Sequence, residues 1–336
     1  MQLPAMQKNS SAAHLSPFLC AETNTSDLPH SESTRSSEQQ WGVSAVHCPQ
    51  VFAQGEEGHK DVLVAVVDTG IAPHKDLRGT VIYEDSVAEA GASSAAAMEA
   101  AASGDGGVRG STAAAVRALD MAIARKAHIV NNSWGSSFAS QAIQRALQFA
   151  AKARKGHGML IVNGAGNQGL DLQEQNQFPA SFNIPNTANV AAMATANALS
   201  SYTNHGRQAI HLGAPGNRIL STAPGDGYEY ESGTSAAAAF VAGVAALVYG
   251  VFASAKSETS AAEVLEILRV SSTPVQSLST ATLWGAIVNA EAAVSVARLG
   301  GMWLQIKCTD HSFQLQPGES KVARIYMRPF LPGEYR

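Results

Sequence analysis

The chain has 336 residues, 45% of them hydrophobic and 15% charged, with 23 Lys and Arg against 27 Asp and Glu for a formal net charge of -4. This balance excludes a disordered chain and an electrostatic nucleic-acid binder, and the length accommodates one large or two ordinary globular domains. Cys20, Cys48 and Cys308 are odd in number and form no CxxC spacing, so neither a disulfide framework nor a zinc site is signalled.

Residues 1–40 form a polar leader rich in Ser, Thr, Asn and Gln, expected to be disordered. The leader shows no apolar run of the signal-peptide kind, and the sequons at Asn9, Asn24 and Asn131 do not by themselves imply secretion. Asp61–Val67 then reads as a strand buried on both faces, as in a parallel sheet. The Ala/Ser-rich segment 84–105 has no decisive period. Beyond it, Ser111–Lys126 follows a helical period with Val116, Leu119 and Ile123 on one face, and Ser111 or Thr112 as cap.

Helix and strand now alternate. Strands are expected at His128–Asn131, Gly158–Asn163, Val190–Ala194, Ala209–Leu212 and Ile219–Thr222. Helices are expected at Ser140–Ala153, Ser235–Ala253, Ala261–Val270 and Ala286–Ala297. The reading is an α/β domain with a mostly parallel central sheet and helices on both faces. Ala236–Ala253 carries no charge and is long enough for a membrane span, but its alanine content fits a helix buried inside a domain better, so no membrane span is assigned. Residues 301–336 alternate as short strands around Pro317-Gly318 and Pro332-Gly333, and read as the opening of a β-sandwich-like module too short to close its own core.

In a parallel α/β sheet, ligands sit beyond the carboxyl ends of the strands. Asp68 follows the first strand, Asn132-Ser133-Trp134-Gly135 the second and Gly164-Ala165-Gly166-Asn167 the third, while Gly233-Thr234-Ser235 opens the long apolar helix. A serine at a helix N-terminus has free amides and the positive dipole end beside it, which would stabilise an oxyanion formed there. Asn167 adds a side-chain amide on a glycine-flanked turn. Asp68-Thr69-Gly70 is also the aspartic-protease triplet, but that chemistry needs two such carboxylates and no second D-[TS]-G occurs.

These residues lie in phrases that resemble the subtilases, the subtilisin-like serine peptidases: VAVVDTGIAPHKDL, NNSWGSS, IVNGAGNQG, FPASFNIPNTANVAAMA, SSYTNHG, LGAPG and SGTSAAAAFVAGVAALV, in family order. The resemblance runs from Trp41 to Leu299 and implies a peptidase domain over residues 41–300. It also implies that Asp68 is the triad acid, Ser235 the nucleophile and Asn167 the oxyanion donor. Ser133, Trp134 and Gly135 would be the edge on which a peptide or protein substrate pairs as an added strand. No cofactor is implied, and the structural calcium known in the family has no identifiable site in this sequence.

The sequence departs from the family in one decisive respect: the histidine motif HGTHVAG is absent, and the Ala/Ser segment stands in its interval. With it would go a neighbouring strand of the central sheet. AAAAF also replaces MASPH after Ser235. The expectation is therefore a subtilase by ancestry in which no histidine serves as base, impaired in hydrolysis; the alternative is a non-catalytic peptide-binding relative. Family members are mostly secreted, but the sequence itself assigns no compartment.

Overall fold

A computed structural model describes residues 6–7, 40–68, 70–80, 109–300, 304–308 and 325–329. Its centre is a seven-stranded sheet of β1 (Val64–Val67), β2 (Ile129–Asn132), β3 (Leu160–Gly164), β4 (Thr187–Met193), β5 (Leu212–Pro215), β8 (Thr273–Pro274) and β9 (Ala286–Ile287), in spatial order β8-β9-β5-β4-β3-β2-β1. All neighbours are parallel except β8 and β9. β6 (Ile219–Ala223) and β7 (Gly227–Glu231) form a separate antiparallel hairpin.

Short helices α1 (Trp41–Ala45) and α2 (Cys48–Phe52) lead into the domain. The two faces of the sheet carry different helices, because apolar strand residues alternate between two cores. Val130 and Ile161 pack with α3 (Thr112–Ala124) and α4 (Gln141–Ala150). Ile129, Leu160 and Val162 pack with α5 (Thr234–Ser254), α6 (Ala261–Ser271) and α7 (Ala290–Arg298). Each of α3, α4, α6 and α7 starts on a side-chain cap, Ser111, Ser140, Ser260 and Asn289, that accepts an otherwise orphaned first-turn amide. α5 is the one helix among the described residues long and apolar enough to cross a membrane, and it is instead buried within the domain along most of its length.

The structure refines the sequence reading in three places. Ala286–Ile287 is a strand, and the helix expected from Ala286 begins at Ala290, since Asn289 caps it and Ile287 pairs in register with Gly213. The strand expected at Ala209–Leu212 lies later, at Leu212–Pro215, where it pairs with β4. The β6–β7 hairpin closes Gly227–Glu231 onto Ile219–Ala223, whereas the sequence reading had only the first of these strands. The Ala/Ser-rich segment 84–105 and residues 309–324 of the expected C-terminal module lie outside the described residues; at the C-terminus β10 (Leu304–Cys308) and β11 (Ile325–Pro329) pair antiparallel. In the leader, Met6–Gln7 pairs with Arg109–Gly110.

β1 is an edge strand of the central sheet among the described residues. Its Val66 is 43% exposed. An interior strand of a parallel sheet is covered on both faces and paired on both sides; among the described residues β1 is neither.

Candidate active site

The carboxyl ends of β1, β2 and β3 and the N-terminus of α5 converge at one edge of the sheet. Register holds them level: Val67, Asn132, Asn163 and Asn189 are successive partners across β1 to β4. The three asparagines form a buried ladder, Asn132 Nδ2 donating to Asn163 Oδ1 at 2.9 Å and Asn163 Nδ2 to Asn189 Oδ1 at 2.8 Å. Buried amides must pair, so the ladder resists a slip that would move Ser133 relative to Gly164.

Ser235 is the second residue of the 21-residue α5, half-buried, at the amide-bearing end of the helix. Its Oγ donates to the Ser133 carbonyl at 3.3 Å. Asn167 Oδ1 accepts the Thr234 amide at 2.8 Å. That bond turns the amide nitrogen of Asn167 toward Gly233: a Cβ placed on Gly233 would stand 3.3 Å from Nδ2. Asn167, Gly233 and Ser235 are thus adjacent at the positive end of the helix. Asp68 lies one residue beyond Val67, half-buried at the end of the neighbouring strand.

The turn that carries Asn167 is built from inside. Asn204, fully buried, accepts the amides of Gln168 at 3.1 Å and Leu170 at 2.9 Å and donates to the Ala165 carbonyl at 2.9 Å. Gly166 has φ +103°, and a Cβ there would fall 2.3 Å from Asn204 Nδ2, so no other residue fits. Sequence reasoning missed Asn204 as a support of this turn, although it lies in the phrase SSYTNHG, because its three contacts are 34 to 39 residues away. Thr234 was missed for the same reason.

Ser133 is buried, and its Oγ accepts from Asn131 Nδ2 at 3.0 Å. Trp134 packs against the α3–α4 core with its Nε1 buried and unpaired. Gly135 faces Gln177, and the next residue, Ser136, exchanges two 2.8 Å hydrogen bonds with Phe178. The structure therefore brings Ser133, Trp134, Gly135, Asn167 and Ser235 to one edge, with Asp68 on the adjoining strand end.

Each described histidine whose side chain has a defined partner is engaged elsewhere. His74 is 5% exposed, its Nε2 3.0 Å from the Gly227 carbonyl and its Nδ1 accepting the Asp76 amide at 3.1 Å, which pins the HKDL phrase to the β6–β7 hairpin. His128 Nδ1 accepts the Leu63 amide at 3.2 Å and His211 Nδ1 the Asn189 amide at 2.9 Å. Burial lowers both pKa values to about 4, helped at His128 by the Arg154 charge. His157 meets Glu258 at 2.9 Å, His59 Nδ1 accepts the Asp61 amide at 3.2 Å, and His47 lies 3.8 Å from Glu291. Among the described residues no three His, Cys, Asp or Glu side chains cluster as a metal site.

A parallel α/β sheet with a serine at a buried helix's N-terminus and an amide donor beside it defines the subtilisin-like class. The chain belongs to the peptidase S8 subtilase family, which residues 88–286 match; that span includes Ser133, Asn167 and Ser235 and begins after Asp68. It is 35% identical over 231 residues to subtilisin-like protease 2 of Plasmodium falciparum, covering 69% of this chain and 17% of that protein. It is 32% identical over 245 residues to a thermostable alkaline protease of Halalkalibacterium halodurans, covering 65% of each. In fold it is similar to a lanthipeptide protease, with a TM-score of 0.57 at 23% identity over 77% of this chain and 95% of that one.

Proposed function

We propose that the chain is a subtilase domain that binds peptides as an added strand along Ser133, Trp134 and Gly135 but is crippled in hydrolysis. Ser235 is the nucleophile, Asn167 the oxyanion donor and Asp68 the triad acid of an acyl-transfer site that lacks its base. The observation that carries this reading is the partner of Ser235: its hydroxyl bonds the Ser133 carbonyl, and no histidine nitrogen is hydrogen-bonded to it among the described residues. Residues 81–108, between the end of the Asp68 loop and Arg109, contain no histidine either.

A general base must stand within about 2.6 to 3.2 Å of the proton it removes, or act through one water. Without it a serine hydroxyl is a weak nucleophile at neutral pH. In subtilisin, the type member of this family, loss of the histidine lowers turnover about a million-fold, a value carried over from that enzyme rather than deduced from this chain. What persists is binding: a peptide carbonyl at Ser235 still meets the Asn167 amide and the first-turn amides of α5.

The test is a fluorophosphonate probe at neutral pH combined with peptide titration. The expected result is no labelling of Ser235, with peptide binding that survives Ser235→Ala. Robust labelling that disappears in Ser235→Ala and in one histidine variant would overturn the reading and make the chain an active peptidase.

A further inference from the structure

The two ends of the β6–β7 hairpin close into a bridge. Gly216 precedes the hairpin and Gly233 follows it, and the Gly233 amide donates to the Gly216 carbonyl at 2.7 Å. Both glycines are buried, and the approach is close: a Cβ placed on Gly216 would stand 2.8 Å from the Gly233 carbonyl oxygen and 2.6 Å from Ala192 Cβ. Gly233 is the N-cap of α5, two residues before Ser235, and the Asn167 amide nitrogen lies beside it. A shift of this bridge would therefore move the α5 terminus relative to Asn167.

A side chain from a third segment reaches the bridge. Tyr202, on the loop between β4 and β5, is half-buried against the α5 core, and its hydroxyl donates to the same Gly216 carbonyl at 2.5 Å. Both lone pairs of that carbonyl are then used. Burial pushes the Tyr202 phenol up, with Ser200 and the Gly233 backbone opposing, so the hydroxyl keeps its proton and remains a donor. The neighbouring residues hold the other half of the pocket. The Tyr202 carbonyl accepts the Gly169 amide at 2.7 Å, Thr203 Oγ1 accepts the Ala192 amide at 2.9 Å, and Asn204 donates to the Ala165 carbonyl at 2.9 Å. Residues 202–204 thus grip the Asn167 turn through Asn204 and the Tyr202 backbone, and the root of Ser235 through the Tyr202 hydroxyl.

We infer that Tyr202 is a positioning residue of the oxyanion pocket: its hydroxyl, through the Gly216–Gly233 bridge, holds the N-terminus of α5 in place against the Asn167 amide. The inference rests on the peptide-binding reading above. In this role the hydroxyl acts through Gly216 and Gly233 rather than on the peptide. It keeps the donors at a fixed separation, so they meet a negatively charged oxygen without reorganising. Without it the Gly216 carbonyl keeps the Gly233 amide alone, and the bridge is free to tilt away from Asn167. Charge-assisted hydrogen bonds are about twice as strong as neutral ones, so a charged terminal group loses more from that tilt than a neutral one.

The experiment is calorimetric titration of the full chain with one hexapeptide in two forms, ending in a free carboxylate or in a carboxamide, the terminal group taking the place of the cleaved carbonyl. The wild-type chain is expected to bind the carboxylate form about tenfold more tightly. Tyr202→Phe, which keeps the ring in the core, should cut that preference to about two- to threefold and leave the carboxamide affinity unchanged. A residue that only supports the fold would weaken both forms alike. Gly216→Ala disturbs the same bridge without touching Tyr202 and should cut the preference too, so the test survives if one variant fails to fold. An unchanged preference in folded Tyr202→Phe, an equal loss for both peptides, or no preference in the wild-type chain overturns the role of Tyr202 while leaving peptide binding intact. No binding of either peptide to the wild-type chain overturns the peptide-binding reading, and this inference with it.

Discussion

Thr234 and the Asn167 turn hold each other at two points: the Thr234 amide donates to Asn167 Oδ1 at 2.8 Å, and Thr234 Oγ1 accepts the Gly166 amide at 3.0 Å. The residue before Ser235 and the residue before Asn167 are thereby one mechanical unit, although 68 positions separate Gly166 from Thr234.

Thr234→Ala should leave the Gly166 amide without its acceptor and cost about 1–3 kcal/mol in urea unfolding, while Thr234→Ser restores most of it. Gly164→Ala tests the same contact from below. Its Cβ would meet Thr234 Oγ1 at 3.0 Å and the Thr234 carbonyl oxygen at 3.1 Å, and backbone cannot yield as a side chain can. A loss of about 1–3 kcal/mol is expected.

Asn163 is the middle rung of the asparagine ladder, and Asn189 Nδ2 continues it to the carbonyls of Ala180 at 2.6 Å and Ala209 at 2.7 Å. Asn163→Ala strands one donor on Asn132 and one acceptor on Asn189. The expected cost is about 2–4 kcal/mol by denaturant titration, larger than for any single cap substitution such as Ser140→Ala, at about 1 kcal/mol. Equal costs for the two variants would remove the ladder from the account of register.

Val66 sits on an edge strand with 43% of its surface exposed. An apolar edge is a template for pairing with another chain, so the purified protein should self-associate. Val66→Lys should lower light scattering at equal concentration with a stability change within about 0.5 kcal/mol. A monomeric wild-type chain with a single cooperative thermal transition would contradict this.

His128 and His211 are held neutral in the folded protein, at about 4 against an ordinary 6.5. The unfolded chain therefore binds more protons than the native one between these values. Their contribution is complete above pH 6.5 and is lost as the pH falls from 6.5 toward 4. His211→Asn, which keeps an acceptor for the Asn189 amide, should flatten the slope of stability against pH in that window by about one proton. Urea midpoints of both proteins across the window check it; parallel slopes would refute it.

The alternation of helix and strand, and the order of the site phrases, were legible in the chain because both are local. A buried parallel strand must be a short apolar run, and a helix needs a period, so β1 to β3 and the helices near Ser111 and Ser140 could be read directly, with Ser111 or Thr112 as the first cap. The class of fold, the family and the absence of the histidine motif were legible for the same reason. Tertiary structure alone decided the rest. Ala286–Ile287 is a strand because β5 offers it a partner, not because of its own propensity. Asn204 and Thr234 support the Asn167 turn through residues tens of positions away, and a contact between distant residues leaves no period in the sequence. The engagement of His74 with Gly227 is of this kind too: the carbonyl beside its ring nitrogen lies 153 residues further along and reaches it only when the β6–β7 hairpin folds against the loop.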